Sequence, residues 1–351
     1  MESHLQALCG GLRGRVELEV LVSSDQRRTT EEVLDSVKVT RVGTLFNLAA
    51  APVCPETVGR IRESRADIVH IHWPHPTAVL AYLASGHRGR LVLTYHSDIV
   101  RQKVLGRLFW PVLRKAMGRA DAVIVASPNY VESSPVLQRF KGKCRVIPFG
   151  IPLGPFDRVA PGEVARIREQ FGPRIVLGVG RLIYYKGFEH LIRAMKEVDA
   201  HLLIVGEGPL RGALEREANE AGVGGRVSFP GHVEDVVPYY HAADAFALPS
   251  VARSEAFGIV QLEAMACRKP VVNTSLDSGV TFVSVDGVTG LTVPPGDARS
   301  LARALDRLLR DPVLSAEYGR AARLRVEREF SLEAMTRRTL RLYDQVMSRP
   351  V

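Results

Sequence analysis

The sequence predicts an α/β protein made of two doubly wound parallel sheets, and three observations support this prediction. Short β-branched runs alternate with helical segments along nearly the whole chain, as in parallel sheets covered by helices. At 351 residues, the chain is long enough for two separate cores. A Pro- and Gly-rich stretch at residues 148–162 interrupts the alternation. We therefore predict a first domain at 1–150, a second at 151–330, and a terminal helix at 331–351 that packs back toward the first.

The first predicted domain opens with a helical pattern in which Leu5, Leu8 and Leu12 fall on one face. Short runs rich in Val and Ile then predict strands at residues 16–22, 37–44, 68–73, 91–96, 122–126 and 145–149. Helical periodicity predicts helices between them at residues 56–64, 78–84 and 104–117.

The second predicted domain repeats this alternation. Its strands are predicted at residues 175–179, 201–205, 227–229, 245–248, 271–272 and 290–293. Helices at residues 298–310, 315–329 and 332–347 follow, with many arginines that we expect on solvated faces. Two such units in tandem predict a cleft between them, which is a usual place for a ligand.

The composition is that of an ordinary soluble protein with a basic surplus. Hydrophobic residues make up 46% of the chain, charged residues 24%, and the formal net charge is +9. This charge favours anionic partners such as nucleotide phosphates, lipid headgroups or nucleic acid. The four cysteines lack metal-type spacing and indicate reduced thiols. Without an apolar run of membrane-span length or a signal peptide, the sequence predicts a cytoplasmic protein.

Two glutamates mark the most informative stretch, residues 254–270. Glu255 follows the predicted strand at 245–248 in a loop, whereas Glu263 lies in the next helix. Eight positions at about 100° each leave them roughly 80° apart, so they face neighbouring parts of one pocket. Open α/β sheets bind ligands at this edge, and a helix N-terminus favours an anion. The simpler alternative is a pair of solvated surface carboxylates.

Cations and glycines follow the first two strands of the second domain. Arg181 and Lys186 lie in the loop after residues 175–179, where an arginine fork and a lysine point charge suit a diphosphate leaving group. Two surface cations are the alternative. Gly206 and Gly208, on either side of Glu207, would let a ligand approach the backbone, although a tight turn explains them equally well.

Taken together, Gly180-Arg181-Leu182 with Lys186-Gly187, then Val205 to Pro209, then Glu255-Ala-Phe-Gly and Glu263-Ala-Met-Ala, resemble the GT4 family of retaining glycosyltransferases with the GT-B fold. The resemblance implies that Arg181 and Lys186 grip the donor diphosphate and that Glu255 contacts the donor sugar. It also implies that Glu263 binds the ribose. The remaining implied donor-binding residues are Gly180, Gly206, Glu207, Gly208, His232, Val233, Phe257, Gly258 and Ile259. Such enzymes need neither a metal nor a cofactor beyond the nucleotide diphosphate sugar.

A second interpretation of two glutamates is the acid and nucleophile of a glycoside hydrolase. The neighbouring Arg181 and Lys186 argue against it, because a hydrolase has no diphosphate to neutralise. Nucleic-acid binding is suggested only by the charge, and no binding motif supports it.

Histidines cluster in the first domain. His96 ends a predicted strand where the family often has a histidine facing the donor sugar; the alternative is an ordinary loop histidine. His70, His72 and His75 surround Trp73-Pro74, and the first two share one strand face, a spacing that could mimic a metal pair. Because no carboxylate or thiol is nearby in sequence, we favour cleft lining or core over metal binding.

The segment at residues 101–119 mixes leucines and aromatics with arginines and lysines. Such a basic amphipathic stretch with exposed aromatics suits an anionic membrane surface, and a core-facing helix with a solvated basic side explains it equally well. Related enzymes that act on lipid-linked acceptors often dock on the membrane through this half. We therefore expect peripheral contact with the inner face of the plasma membrane.

The start of the chain departs from the family pattern, in which a strand and a Gly-Gly turn precede the first helix. The missing strand would be central in its sheet, so an inactive nucleotide-sugar-binding or scaffold protein is the alternative function. The favoured function is transfer of a hexose, with retention, to a glycan or lipid-linked acceptor in cell-surface polysaccharide synthesis. Residues 273–280 and 294–297 resemble bacterial polysaccharide mannosyl- and rhamnosyltransferases and favour a GDP-mannose-type donor.

Overall fold

The computed structural model describes residues 2–48, 51–98 and 103–349, which form two units. The first unit comprises Met1–Ala126, Ser134–Pro148 and Leu332–Val351, and the second comprises Ser127–Ser133 and Phe149–Ser331. Residues 127–133 therefore belong to the second unit, although they precede the single domain boundary that the sequence predicts at residue 150. Helices and strands are numbered below in chain order.

The described strands of the first unit form three separate sheets. In one, β1 (Glu19–Ser23) pairs in parallel with β3 (Val37–Val42), and β2 (Thr30–Leu34) pairs antiparallel with β3. In another, β4 (Phe46–Leu48) and β5 (Ala51–Val53) form an antiparallel ribbon. The third is a parallel sheet in the order β6 (Ile68–Trp73), β7 (Arg90–Tyr95), β8 (Ala122–Val125) and β9 (Cys144–Val146).

The antiparallel strand β2 is absent from the sequence-based prediction. It joins β3 through the two-residue turn Asp35-Ser36, and both residues have positive φ values, 49° and 66°. This combination characterises the type I′ turn, which is usually recognised from Asn-Gly or Asp-Gly. Because the turn contains neither dipeptide, and β2 has only Val33 and Leu34 as apolar residues, the local pattern did not reveal the hairpin.

The helices of the first unit cover its parallel sheet. They are α1 (Glu2–Leu12), α2 (Glu56–Glu63), α3 (Pro76–Ser85), α4 (Lys103–Arg119), α6 (Pro135–Arg139) and α16 (Leu332–Met347). Leu8 and Leu12 of α1 are buried in a cluster with Val92 of β7 and with Met335 and Leu342 of α16. The terminal helix therefore belongs to the core of the first unit.

The structure describes the side chains of about half of the predicted membrane-binding segment, in the helix α4. Residues 101 and 102, and the side chains of 103–108, lie outside the described part of the chain. In the remainder, Phe109 stacks on Trp73 with ring centroids 5.7 Å apart, and Trp110 lies under the Arg139 guanidinium at 5.0 Å. Leu113 is buried. The aromatics in the described half are thus half-buried and packed, so the expectation that they are exposed is wrong there.

The second unit is a single parallel sheet with helices between its strands. Its strands are β10 (Ile175–Val179), β11 (His201–Val205), β12 (Val227–Gly231), β13 (Ala245–Leu248), β14 (Val271–Thr274) and β15 (Gly290–Val293). Its helices are α5 (Pro128–Ser133), α7 (Gly154–Asp157), α8 (Pro161–Phe171), α9 (Phe188–Ala194), α10 (Arg211–Glu220), α11 (Val237–Ala242), α12 (Ile259–Ala266), α13 (Val280–Val283), α14 (Ala298–Arg310) and α15 (Pro312–Glu329).

The strand order in this sheet is β12-β11-β10-β13-β14-β15, and every pairing is parallel. This is the doubly wound order, in which the chain starts in the middle of the sheet and reverses direction between β10 and β13. All four residues of β13 and of β14 are buried, as expected for strands covered on both faces. The continuous apolar run at 245–248 therefore predicted its strand correctly.

Among the described residues, no helix has both the length and the apolar character needed to cross a membrane.

Candidate donor site and histidine cluster

The predicted cations and the first glutamate flank the point where the sheet of the second unit reverses direction. Arg181 and Lys186 follow β10, and Glu255 follows β13, its neighbour in the sheet. Both loops leave the carboxyl ends of their strands. In open α/β sheets, ligands bind in the crevice that forms at this topological switch point.

Lys186 and Glu255 form a buried ion pair. The Lys186 Nζ lies 2.6 Å from the Glu255 Oε2, and the two side chains are only 9% and 10% exposed. The Ser250 hydroxyl donates a second hydrogen bond to the same carboxylate oxygen, at 3.1 Å. A charged pair with this little solvent depends on its own partners for stability, so each of the two groups fixes the position of the other.

Glu263 lies on α12 and belongs to the same group of charges. The Tyr240 hydroxyl donates a hydrogen bond to the Glu263 Oε2 at 2.7 Å. Burial raises the pKa of Glu263, and this effect is opposed by the Tyr240 hydrogen bond and by the nearby Lys186 ammonium. Burial, followed by the neighbouring Glu263 charge, also raises the pKa of Tyr240 well above its usual value. The structure thus brings Glu255, Glu263 and Lys186 together.

Arg181 differs from Lys186 in its surroundings. Its side chain is exposed, and within the described residues it makes no hydrogen bond or ion pair with another side chain. Its positive charge lowers the pKa of Tyr185, although burial, the larger effect, raises it. Arg181 therefore lies within electrostatic reach of the same loop while its own donors face solvent.

Glycines allow three loops to approach one another at this edge. Gly180 has a φ of +146°, and a Cβ there would lie 3.1 Å from the Lys186 Cε. A Cβ on Gly206 would lie 2.2 Å from the Gly180 carbonyl oxygen, and one on Gly208 would lie 2.4 Å from that of Leu182. Larger residues would therefore push the loops apart, which goes beyond what a tight turn alone requires.

Backbone hydrogen bonds join these loops to the remaining predicted donor residues. The amide of Leu182 donates to the carbonyl of Glu207 at 2.8 Å, and the amide of Gly206 donates to that of Gly231, also at 2.8 Å. His232 is exposed and Val233 is half-buried just after β12. The segments 206–208 and 231–233 thus lie side by side along the same edge of the sheet.

The turn before α12 has a conformation that requires glycine. Gly258 has φ +74° and ψ 60°, and a Cβ there would lie 2.7 Å from the Leu248 Cδ2. Ile259 is the first residue of the helix. The Phe257 ring is buried edge-on against Phe149, with centroids 5.0 Å apart. Only the backbone of Phe257 is therefore in a position to face a ligand, and its side chain anchors the turn.

His96 belongs to the first unit and forms part of a histidine cluster. Its Nε2 lies 3.0 Å from the Nδ1 of His72, and its ring packs edge-on against His4, with centroids 5.2 Å apart. Burial lowers the pKa of His96 to about 2, with smaller contributions from His72 and His4. His96 is thus packed among other histidines and is not an isolated loop side chain.

The other histidines of the sequence-based cluster divide into two groups. His70 and His72 stack with centroids 4.6 Å apart, whereas His75 begins α3 and accepts a hydrogen bond from the Ala78 amide at 3.2 Å. Burial lowers the pKa of His72 to about 4 and that of His75 in the same direction. His75 therefore has a local capping role, whereas the half-buried His72 and His96 rings contact each other.

Sequence reasoning missed the residues that hold the glutamates in place. Tyr240 and Ser250 orient Glu263 and Glu255, and neither belongs to a recognisable motif. The buried Gln261 donates to the carbonyl of Phe257 at 3.3 Å and accepts a bond from Asn273 at 3.0 Å. A polar residue inside a run as apolar as residues 257–266 was the available signal, because buried amides need partners.

A doubly wound sheet with a cation and two acids at its switch point defines an α/β protein with a candidate ligand site at that edge. Comparisons with known proteins give the family. The Glycosyltransferase Family 4 profile matches residues 1–154, and the Glycosyl transferases group 1 profile matches residues 163–325.

Similar proteins match between 76% and 96% of the chain. O-antigen chain mannosyltransferase C from Escherichia coli is 32% identical over 342 residues, which are 96% of this chain and 92% of that protein. D-rhamnosyltransferase WbpZ from Pseudomonas aeruginosa is 36% identical over 270 residues, 76% of this chain and 71% of that one. A GDP-mannose-dependent phosphatidylinositol monomannoside mannosyltransferase from Mycolicibacterium smegmatis is 32% identical over 92% of this chain and 89% of its own length.

Solved structures share the fold. Sucrose-phosphate synthase from Thermosynechococcus elongatus superposes with a TM-score of 0.82 at 27% identity, covering 99% of this chain and 93% of that one. Anabaena HepE in complex with UDP and glucose superposes with a TM-score of 0.77 at 22% identity, covering 98% and 95%. The chain belongs to glycosyltransferase family 4 and has the GT-B fold. The alternative of an inactive binding protein receives no support from these comparisons.

Proposed function

We propose that this chain transfers a hexose from a nucleotide diphosphate sugar, with retention of anomeric configuration, to a glycan or lipid-linked acceptor. The product would contribute to a cell-surface polysaccharide or glycolipid. The observation that carries this proposal is the buried Lys186–Glu255 pair beside Glu263 at the switch point of the second unit. A diphosphate is the anionic ligand that a desolvated ammonium and the N-terminus of α12 favour.

In the proposed reaction, the bond between the anomeric carbon and the diphosphate oxygen breaks, and the electron pair leaves with the diphosphate. The Lys186 ammonium stabilises the growing negative charge with donors not used by Glu255, and the exposed Arg181 guanidinium adds a second contact. The acceptor hydroxyl attacks from the face that the diphosphate leaves, and its proton passes to the departing diphosphate. No metal enters this scheme.

The remaining roles follow from position. Glu255 would contact the donor sugar while holding Lys186, and the backbone at Phe257, Gly258 and Ile259 would bind sugar hydroxyls. Glu263 would accept hydrogen bonds from the ribose, with Tyr240 holding its carboxyl. The loops at 206–208 and 231–233 would line the base. His96 would face the donor sugar from the first unit.

A GDP-mannose-type donor is proposed because relatives named as mannosyltransferases, one of them GDP-mannose-dependent, match more than nine-tenths of the chain. The rival donor is a UDP-sugar, since the similar HepE structure contains UDP. Thermal unfolding with GDP, UDP and ADP separates them. A ligand present at 100 times its dissociation constant stabilises the protein by about 2.7 kcal/mol. We expect the largest shift with GDP, and an equal or larger shift with UDP would reject the GDP proposal.

Turnover is tested with GDP-mannose and an isolated lipid-linked glycan acceptor. We expect product formation that a chelator leaves unchanged, and a product whose anomeric configuration by NMR matches that of the donor. The Glu255→Gln variant should lose transfer, while Glu215→Gln, which alters an exposed carboxylate on α10, should retain it. Inversion at the anomeric carbon, or full activity in Glu255→Gln, would overturn the scheme.

Peripheral membrane contact is a separate proposal for the basic side of α4. Arg114 and Lys115 are exposed there, next to the buried Leu113. Exposed lysines and arginines near an anionic surface contribute about 1 kcal/mol each. We expect the chain to sediment with anionic liposomes at low salt. A smaller fraction of the Arg114→Ser/Lys115→Ser variant should sediment under the same conditions. Salt-insensitive sedimentation, or no difference between the two proteins, would contradict this proposal.

A further inference from the structure

A group of buried and half-buried histidines lies at the carboxyl edge of the parallel sheet in the first unit. His4 comes from α1, His72 from β6 and His96 from the residue after β7. One ring nitrogen of each lies within 4.8 Å of the corresponding nitrogens of the other two. Three elements that are distant in sequence thus direct imidazole nitrogens toward one point.

The distances between the three histidine nitrogens suit a metal ion. Histidine nitrogens bind zinc at about 2.0–2.1 Å, so two such ligands of a tetrahedral ion lie about 3.3 Å apart. The His72 Nδ1 and the His96 Nε2 are 3.0 Å apart and share a hydrogen bond, so an ion bound by both would displace the proton between them. The largest distance between two of the three histidine nitrogens is at most 4.8 Å, so side-chain movements of about 1.5 Å or less would bring them to about 3.3 Å.

A fourth histidine fixes the orientation of the cluster without joining it. His70 stacks on His72, and its two nitrogens are bonded to the Thr94 hydroxyl and the Tyr343 hydroxyl, each at 2.7 Å. With both nitrogens occupied, His70 offers no lone pair to an ion. It instead restricts the plane of the His72 ring, as the supporting residues around metal ligands do.

We propose that His4, His72 and His96 form a binding site for a divalent transition-metal ion of the zinc class. Imidazole ligands suit zinc, copper and nickel, whereas magnesium and calcium prefer oxygen. Three ligands leave a fourth position for water. Bound there, the ion joins α1 to the carboxyl ends of β6 and β7 and stabilises the first unit.

The proposed site shares His96 with the proposed transfer reaction, whereas His4 and His72 have no role in that reaction. The metal titration below therefore tests the site separately from the Lys186–Glu255 pair, which belongs to the second unit. The proposed site departs from the sequence-based expectation that His70 and His72 are cleft lining or core. That expectation considered neighbours in sequence, and the two additional ligands come from residues 4 and 96.

The test is a binding titration of the chelator-treated full chain with Zn²⁺ against a chromophoric chelator. We expect one ion per chain, competition by Ni²⁺ and none by Mg²⁺ or Ca²⁺, and a higher unfolding temperature with Zn²⁺. Loss of a ligand in His4→Gln should weaken binding at least as much as loss of a supporting residue, about 10- to 100-fold. The control His190→Gln, which alters a histidine of the second unit, should leave the affinity unchanged.

X-ray absorption of the zinc-loaded wild-type chain decides the case even where a variant fails to fold. Three nitrogen neighbours at about 2.0–2.1 Å are expected. Zinc bound mainly by oxygen or sulfur, no binding at micromolar Zn²⁺, or unchanged affinity in a folded His4→Gln protein would each overturn the proposal.

Discussion

The buried ion pair at the switch point gives the sharpest test of the structure. Lys186→Met keeps most of the aliphatic stem that lies against Gly180 but removes the ammonium. The Glu255 carboxylate then keeps only the Ser250 hydroxyl among its described partners. Removing one partner of a buried pair costs about 3–5 kcal/mol, because the other charge is left in a desolvated position. We expect a loss of stability of that size.

The companion variants separate the interaction from the individual groups. Glu255→Gln alone leaves the buried ammonium without its carboxylate and is also expected to destabilise. In Lys186→Met/Glu255→Gln both charges are gone, so the double variant should lose less than the sum of the two single losses. Groups in direct contact typically show coupling energies of about 0.5–3 kcal/mol. Transfer activity should be lost in all three proteins, because each lacks a group that the proposed reaction uses. Activity is measured separately from stability.

The assay is urea unfolding at pH 7 followed by far-UV circular dichroism. Both tryptophans, Trp73 and Trp110, lie in the first unit, so their fluorescence does not report directly on the second. Arg193→Met is the matched control. Its ion pair with Glu217 is equally short, 2.6 Å, but the side chains are 47% and 23% exposed. Exposed pairs contribute at most about 1 kcal/mol.

Two results would refute this reasoning. If Lys186→Met costs no more than Arg193→Met, the pair is not desolvated as the structure has it. If the double variant loses the full sum of the single losses, the two groups do not interact.

Three further predictions concern the same edge of the sheet. Gly258→Ala should destabilise the chain by about 1–3 kcal/mol, because Gly258 has a positive φ and an added Cβ would lie 2.7 Å from the Leu248 side chain. In the same denaturation assay, the control Gly162→Ala should be neutral or stabilising, because a Cβ at this position in α8 meets no other atom within 4 Å. Tyr240→Phe removes a hydrogen bond that lowers the pKa of Glu263, so that pKa should rise further above 4.5. A carboxyl group whose pKa is raised by folding destabilises the folded protein as the pH increases through that raised pKa. The Tyr240→Phe variant should therefore be less stable than the wild type by about 1.5–3 kcal/mol at pH 7 and by less near pH 4, whereas Tyr239→Phe should match the wild type at both pH values. A loss of stability in Tyr240→Phe that does not depend on pH would contradict this prediction. Arg181→Ala should leave stability within about 0.5 kcal/mol, since the side chain is exposed, yet weaken GDP binding by calorimetry about 10- to 100-fold, while Arg216→Ala on α10 should change neither.

The sequence alone determined the class of fold and the composition of the candidate donor site. Parallel strands buried on both faces need continuous apolar runs, so residues 175–179 and 245–248 identified β10 and β13 directly. Because functional loops follow the carboxyl ends of such strands, the sequence pattern assigns Arg181, Lys186 and Glu255 to one edge of the sheet. The helix α14 was likewise predicted at its observed bounds.

Only the tertiary structure decided which of these groups interact. The Lys186–Glu255 pair joins two loops separated by 69 positions, and nothing local distinguishes this buried lysine from the exposed Arg181 five residues earlier. The hairpin between β2 and β3 escaped prediction because Asp35 and Ser36 adopt left-handed conformations that neither residue requires. The convergence of His4, His72 and His96 depends on the packing of α1 against the sheet. Periodicity reports which face of an element is buried, whereas contacts between elements depend on chain topology, and only the folded chain fixes those distances.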